Sequence, residues 1–111
     1  MDIRRVNEDF AVAGQIGPAD IAEIAAAGFK SIICNRPDSE DGAVPHDSVE
    51  TEARAAGLEF RFLPVVSGNI TDGDVREMAE MLEDLPRPVL AYCRSGGRCL
   101  NLYGLVQKMK G

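Results

Sequence analysis

The run Pro88-Val89-Leu90-Ala91-Tyr92, followed at once by Cys93-Arg94-Ser95-Gly96-Gly97-Arg98, restricts the architecture of this chain more than any other stretch. An uncharged, mostly apolar run of this length suits a short strand buried on both faces. The segment from about Gly97 to Met109 reads as a helix. A cysteine therefore stands at the carboxyl end of a strand, before a glycine-containing loop that opens a helix. The amides of such a loop, with the unpaired N–H groups of the first helical turn, form an anion cradle. A thiol held there ionises readily, because fixed dipoles and arginines favour the thiolate. Helix N-termini and neighbouring cations lower cysteine pKa values from about 8.5 to roughly 3.5–7.5. Cys93 is the expected nucleophile. Free cysteines are commonly buried packing residues. Packing alone does not explain two arginines and two glycines in the five residues that follow.

Charge points to the same place. Up to Asp84 the chain carries 18 acidic and 7 basic residues, a net of −11; from Leu85 onward it carries 5 basic residues and no acid. The cysteine loop thus lies in the only basic tract of an acidic chain. A small anionic substrate suits this, whereas a nucleic-acid backbone needs a broad basic face. Lys108 and Lys110 suit the C-terminal end of a helix dipole, but that does not cover Arg94 and Arg98. No apolar stretch approaches the roughly 18–20 residues of a membrane span. Met1-Asp2-Ile3-Arg4-Arg5 is not followed by a signal core. Three cysteines do not suit a secreted disulfide framework. A cytoplasmic protein of one domain, spanning residues 1–111, is expected.

Along the chain, 3–6 and 10–13 read as two short strands joined by Asn7-Glu8-Asp9. Gly17-Pro18 opens a helix that stops at Gly28. Lys30–Cys34 is a buried strand, and residues 35–46 form a polar loop long enough to fold over a site. Asp47 and Glu50 have capping-box spacing for a helix ending at Gly57. Leu58–Leu63 alternates as a strand with one buried face. Thr71 and Asp74 start a helix with Val75, Met78, Ala79 and Leu82 on one face, ended by Leu85-Pro86. Strands alternating with helices predict an α/β domain with a four- or five-stranded, mainly parallel sheet flanked by helices. Ligands of such sheets bind at the carboxyl ends of the strands, where Cys93 lies.

Several stretches carry a resemblance: Ala13-Gly14-Gln15, Ile33-Cys34-Asn35-Arg36-Pro37-Asp38, Pro64-Val65, Gly68-Asn69-Ile70-Thr71 and Ala91-Tyr92-Cys93-Arg94-Ser95-Gly96. The loop from Cys93 to Arg98 resembles the active loop of rhodanese sulfurtransferases, whose cysteine carries a persulfide. The order of elements resembles the small cysteine-dependent phosphatases of the dual-specificity type. Both features meet in a bacterial family, the domain of unknown function 442. It is also described as the phosphatase-like domain of beta-lactamase-hydrolase-like proteins and as a candidate sulfur transferase. The resemblance implies catalysis by Cys93 and Arg98. Arg94, Ser95, Gly96, Gly97, Cys99 and Arg36 are the expected substrate-binding residues.

The two chemistries need different loops. Tyrosine-type phosphatases place five residues between cysteine and arginine; here Arg98 follows Cys93 after four. The shorter ring suits a smaller target, such as the outer sulfur of a persulfide or thiosulfate. Phosphatases also need a general acid for the leaving oxygen. By resemblance it should come from the loop after Leu63, yet residues 64–71 hold no carboxylate. Asp72, following the Thr71 cap, reads as a dipole-compensating acid. Asp38 and Asp41 are further options. Sulfur transfer needs no such acid, because a persulfide passes its outer sulfur to an incoming thiolate.

The preferred expectation is therefore a sulfurtransferase acting through a Cys93 persulfide on a small sulfane-sulfur donor. The alternatives are a phosphatase using a Cys93 phosphocysteine and a non-catalytic anion-binding or thiol redox module. Cys99 is a packing residue, a donor to the Cys93 thiolate, or a resolving thiol. Cys34 is expected in the core. Arg36 either adds charge at the sheet edge or pairs with Asp38 or Asp41. His46 is the sole histidine, so neither a Cys–His pair nor a histidine-rich metal site is expected, and no cofactor is implied. Relatives are fused to a metal-dependent persulfide dioxygenase; here that partner would be a separate protein, as would a thiol acceptor. Neither nucleic acid nor membrane is an expected partner.

Overall fold

Strands that are apolar at every position need cover on both faces, and this chain supplies it from four helices. The computed structural model describes all 111 residues. The elements run β1 (Arg4–Arg5), β2 (Phe10–Ala13), a 3-10 turn (Pro18–Asp20), α1 (Ile21–Ala26), β3 (Ser31–Cys34), α2 (His46–Ala55), β4 (Glu59–Phe62), α3 (Asp72–Asp84), β5 (Val89–Tyr92) and α4 (Gly97–Lys110). The strand order is β1-β2-β5-β3-β4. β1 pairs antiparallel with β2, and every other pairing is parallel. This is the mainly parallel α/β sheet that the alternation predicts. The region opened by Gly17-Pro18 divides into a 3-10 turn and a shorter α1.

β5 lies between β2 and β3, and all four of its side chains are buried. Side chains alternate across the sheet. Val89, Ala91 and Cys93 pack with Val75, Met78, Leu102 and Val106 of α3 and α4. Leu90 and Tyr92 pack on the opposite face with Ile24, Val49 and Ala53 of α1 and α2, beside Cys34. Cys34 and Cys93 thus serve opposite cores. The hairpin β1–β2 steadies α4: Phe10 stacks on Tyr103 at 4.1 Å, and Asn7 Nδ2 donates to the Tyr103 hydroxyl at 2.7 Å.

Caps were only partly local. Thr71 Oγ1 accepts from the Asp74 amide at 3.0 Å and Asp74 Oδ2 from the Thr71 amide at 2.9 Å, as the spacing predicts. α2, by contrast, starts at His46, two residues earlier than an Asp47 cap allows. Its cap comes from the preceding loop: Asp38 Oδ1 accepts from the His46 amide at 2.9 Å, and its Oδ2 meets His46 Nδ1 at 2.7 Å. A cap donated from eight residues upstream leaves no i, i+3 signature. Asp38 is thereby held at α2, where burial, the largest single influence, pushes its carboxyl up, and the bonds from His46 together outweigh it and hold the carboxyl below the ordinary range.

The parallel strands end on one edge of the sheet. The segments after β2, β3, β4 and β5 therefore converge there, and they build the candidate site.

Candidate active site

Cys93 follows β5 directly, and its amide donates to the Ala13 carbonyl at 3.3 Å. The chain then folds back on the sulfur: the Gly96 amide donates to Cys93 Sγ at 3.1 Å. This turn needs glycine, since Gly96 has φ +91°, and an added Cβ would meet the Arg4 guanidinium and lie 3.4 Å from Ala13 backbone atoms. From the other side, a Cβ on Gly14 would lie 3.0 Å from the Arg94 carbonyl. The Gln15 amide donates to that carbonyl at 3.3 Å, and Arg4 Nη2 donates to the Ser95 carbonyl at 2.6 Å. The sequence-predicted loop is thus real and braced by β1 and by the segment after β2.

The Cys93 thiol is pulled down to about 5. A hydrogen bond from the Cys99 thiol is the largest cause; burial opposes it, and the amides of Cys99, Ser95 and Gly96 add to the lowering. Cys99, wholly buried in the first turn of α4, is held well above its ordinary value by burial and by the neighbouring Cys93. Cys99 also packs in the core formed with α3 and α4, as its packing reading expects. The arginines expected to create the thiolate are not among the leading causes. Cys34 moves the other way, raised chiefly by burial, with its thiol donating to the Arg36 carbonyl at 3.4 Å.

A reactivity difference follows. Iodoacetamide should modify Cys93 with a rate that rises through about pH 5 and is flat by neutrality, because the thiolate is the nucleophile. Cys34 should stay unmodified in the folded protein at pH 7. Site mapping of the alkylated protein checks both, and faster modification of Cys34 contradicts the assignment.

A cleft of about 670 Å3 opens over the sulfur, lined by Arg36, Glu40, Asp41, Ser67, Cys93, Arg94, Ser95 and Arg98. Arg94 and Ser95 are exposed on its rim, and Gly97 is partly buried at the start of α4. Arg98 is only 8% exposed and holds Glu40 with two arms, Nη1–Oε2 at 2.9 Å and Nη2–Oε1 at 3.1 Å. Its Nη1 also donates to the Val65 carbonyl at 2.9 Å, while its buried Nε has no partner. Arg36, 5% exposed, donates from Nε to Glu40 at 3.1 Å, from Nη1 to Gln15 at 2.9 Å and from Nη2 to the Asp41 carbonyl at 2.6 Å. Arg36 does lie at the sheet edge, and its carboxylate partner is Glu40 rather than Asp38 or Asp41.

Glu40 was missed from sequence, as was Gln15's contact with Arg36. The one available signal was the i, i+4 spacing of Arg36 and Glu40. Hydrogen bonds from Arg98, then Arg36, hold the Glu40 carboxyl below its ordinary range despite some burial. Glu40 therefore stays ionised and neutralises much of the charge that Arg98 brings. Asp72 lies elsewhere, in a shallow groove with Val75, Arg76, Leu105, Lys108 and Met109. That placement suits an acid balancing the α3 dipole. No three His, Cys, Asp or Glu side chains gather as a metal site, and no helix is long and apolar enough to cross a membrane.

Residues 2–110 match the family described as the phosphatase-like domain of beta-lactamase hydrolase-like protein. A curated relative from Agrobacterium fabrum, named beta-lactamase hydrolase-like protein, is 40% identical over 108 residues, covering 96% of this chain and 25% of the relative. The chain thus spans about a quarter of the length of that relative. A solved structure of a candidate phosphatase from Neisseria meningitidis superposes with a TM-score of 0.89 at 34% identity, over 100% of this chain and 80% of that one. The core catalytic domain of the PP-IP phosphatase SIW14 from S. cerevisiae superposes with a TM-score of 0.75 at 16% identity, over 96% of this chain and 64% of that one. At that identity the likeness concerns the fold, which is that of the cysteine-dependent phosphatases.

Proposed function

The chain belongs to the family of phosphatase-like domains of beta-lactamase hydrolase-like proteins, and we propose that it hydrolyses small phosphate monoesters through a phosphocysteine at Cys93. The observation that carries this reading is the ionised Cys93 sulfur at the centre of an amide-lined loop, on a phosphatase-like fold. The comparisons favour this alternative over the sulfur transfer preferred from the sequence.

The carboxylate that residues 64–71 lack has a source across the cleft, where the loop between β3 and α2 brings Glu40 and Asp41. Glu40 is bound by two guanidiniums. At Asp41, Arg36 takes the carbonyl and leaves the carboxyl group for other work. In the proposed reaction the Cys93 thiolate attacks phosphorus, the S–P bond forms and the bond to the leaving oxygen breaks. Asp41 gives that oxygen its proton. Water then attacks the phosphocysteine, Asp41 takes the water proton, and S–P cleavage restores the thiolate. Loop amides and the free Arg98 Nε–H bind the equatorial oxygens. Arg36, with its donors already committed, positions Glu40 and Arg98.

The test uses aryl phosphates of graded leaving group. Asp41→Asn should lower turnover of a poor leaving group by about 10²-fold, within the usual range for general acids, and leave an activated ester much less affected. Equal losses on both esters would remove Asp41 from the mechanism. One observation favours sulfur transfer as a second reading: the loop is one residue shorter than that of tyrosine-type phosphatases. A mass gain of roughly 32 Da on thiosulfate treatment, as sulfur exchange requires, without Cys93-dependent phosphate release, would favour that reading instead.

A further inference from the structure

We propose that a groove along α4 binds the leaving half of the substrate, an extended apolar chain that ends in a second anionic group. The inference rests on the phosphatase reading and names its substrate class, a phosphate monoester of an alcohol carrying a carboxylate or similar anion at its far end. The groove, of about 560 Å3, begins where the catalytic cleft ends, and the two share Ser67 and Arg98. Cys93 lies buried at the base of the cleft. In-line displacement puts the leaving oxygen on the side of phosphorus away from the sulfur, hence toward the cleft's mouth. Ser67 is exposed there, so a leaving chain passes it into the groove.

On α4, Arg98, Asn101, Leu105 and Lys108 recur at helical spacing and share one face. That face runs about 15 Å from Arg98 to Lys108, at a rise of about 1.5 Å per residue. The inner face of α4 packs Cys99, Leu102 and Val106 into the core, so the outer face has no need of apolar side chains. It nevertheless brings Leu100 and Leu105, each 41% exposed, to the groove. Ile70 and the turn at Ser67 and Gly68, closed by the Asn69 amide on the Val66 carbonyl at 3.0 Å, form the other wall. Gly104 supplies an independent observation. Glycine in mid-helix is destabilising relative to alanine, and a Cβ added here would meet nothing within 4 Å. No neighbour in the fold requires it. Its bare backbone leaves the groove floor open to a ligand. No acid lines the groove, and Lys108 at its end enters no ion pair; Asp72 lies beyond, in the neighbouring groove. An apolar floor ended by an unpaired ammonium selects a chain with a terminal anion over a plain hydrocarbon.

The probes are carboxyalkyl phosphonates, which cannot be hydrolysed, and the matching phosphate esters, in a short form and a form long enough to span the groove. By calorimetry the long phosphonate should bind wild type roughly tenfold or more tighter than the short one, the scale of a methylene or two in an apolar site. Lys108→Gln should remove about two- to fivefold of that affinity, the scale of an exposed ion pair, and leave a long alkyl phosphonate without the carboxylate unaffected. Gly104→Leu should raise the melting temperature, since leucine is the better helix former, yet fill the groove and bring the long phosphonate to the affinity of the short one. Leu105→Gln, at an exposed position, should weaken the long chain in the same direction. Binding of the short phosphonate and turnover of its ester should be unchanged in all three variants. The proposal is overturned if wild type binds long and short phosphonates alike, or if Gly104→Leu keeps the preference for the long one. It is overturned equally by concentration-dependent dimerisation that Gly104→Leu abolishes, which would give the groove to a second copy of the chain. Failure of the phosphatase reading shows separately, as esters of both lengths that release no phosphate through Cys93, and phosphonate binding still decides the groove.

Discussion

Cys93→Ser is expected to lower hydrolysis of an aryl phosphate by roughly 10⁴-fold or more, the scale of loss when a nucleophile is removed. The serine hydroxyl fits where the thiol lies and can accept the Gly96 amide bond. It differs in ionisation: the loop that brings the thiol to about 5 starts, for an alcohol, from a far weaker acid. A thiolate is also a far better nucleophile and leaving group than an alcohol at neutral pH, and both steps depend on that sulfur. Circular dichroism and a melting curve should show a folded variant, so that lost turnover reports chemistry. Retention of more than about one-hundredth of wild-type activity would remove Cys93 from the nucleophile's role.

Glu40→Gln should give the next largest effect. The wild-type carboxylate joins Arg98 and Arg36, two guanidiniums that are nearly buried. Gln can still accept a hydrogen bond, but its amide presents donors to groups that only donate. At least one guanidinium contact is then lost in a part-buried setting, a cost of about 1–3 kcal/mol. Arg98 also loses the two-armed grip that fixes its Nε–H, so kcat/KM should fall by about 10- to 100-fold, following the same range of energies. Chemical unfolding and steady-state kinetics together check this; an unchanged kcat/KM would leave Glu40 as a structural residue only. The pH dependence has a fixed sign. Glu40's carboxyl lies lower in the folded chain than in the unfolded one, so its stabilisation is complete above the unfolded value. It is lost as pH falls through the folded value. The Gln variant should lack that acid-side loss.

What could be read from the sequence was whatever is written locally. The apolar run before Cys93, the two glycines after it and the Thr71–Asp74 pair each state their own conformation, and all took the expected form. The Asp47 cap failed because Asp38 reaches α2 from a separate loop. Glu40 escaped for the same reason: it meets Arg98 across 58 residues of chain, and the polar segment that holds it has no periodicity. Cys99 was legible as one candidate donor to Cys93, but not as the largest influence on that thiol, because α4's first turn had first to be laid against β5. Charge counting was misleading in one respect. It located the basic tract correctly, yet could not reveal that an acid from the distant acidic portion returns to balance it.

The tight seating of Gly14 against Arg94 has a further consequence. The nucleophile's cradle is keyed into its neighbour as a tenon into a mortise, with Arg4 closing the third side. It cannot widen to suit a bulkier group without prising β2 from β5, the middle of the sheet. New substrate preferences within this cleft are therefore to be sought in the β3–α2 loop, which is fastened to the sheet at its base by the Asn35 bonds to Tyr92 and Leu63, and whose Arg36, Glu40 and Asp41 form the opposite wall.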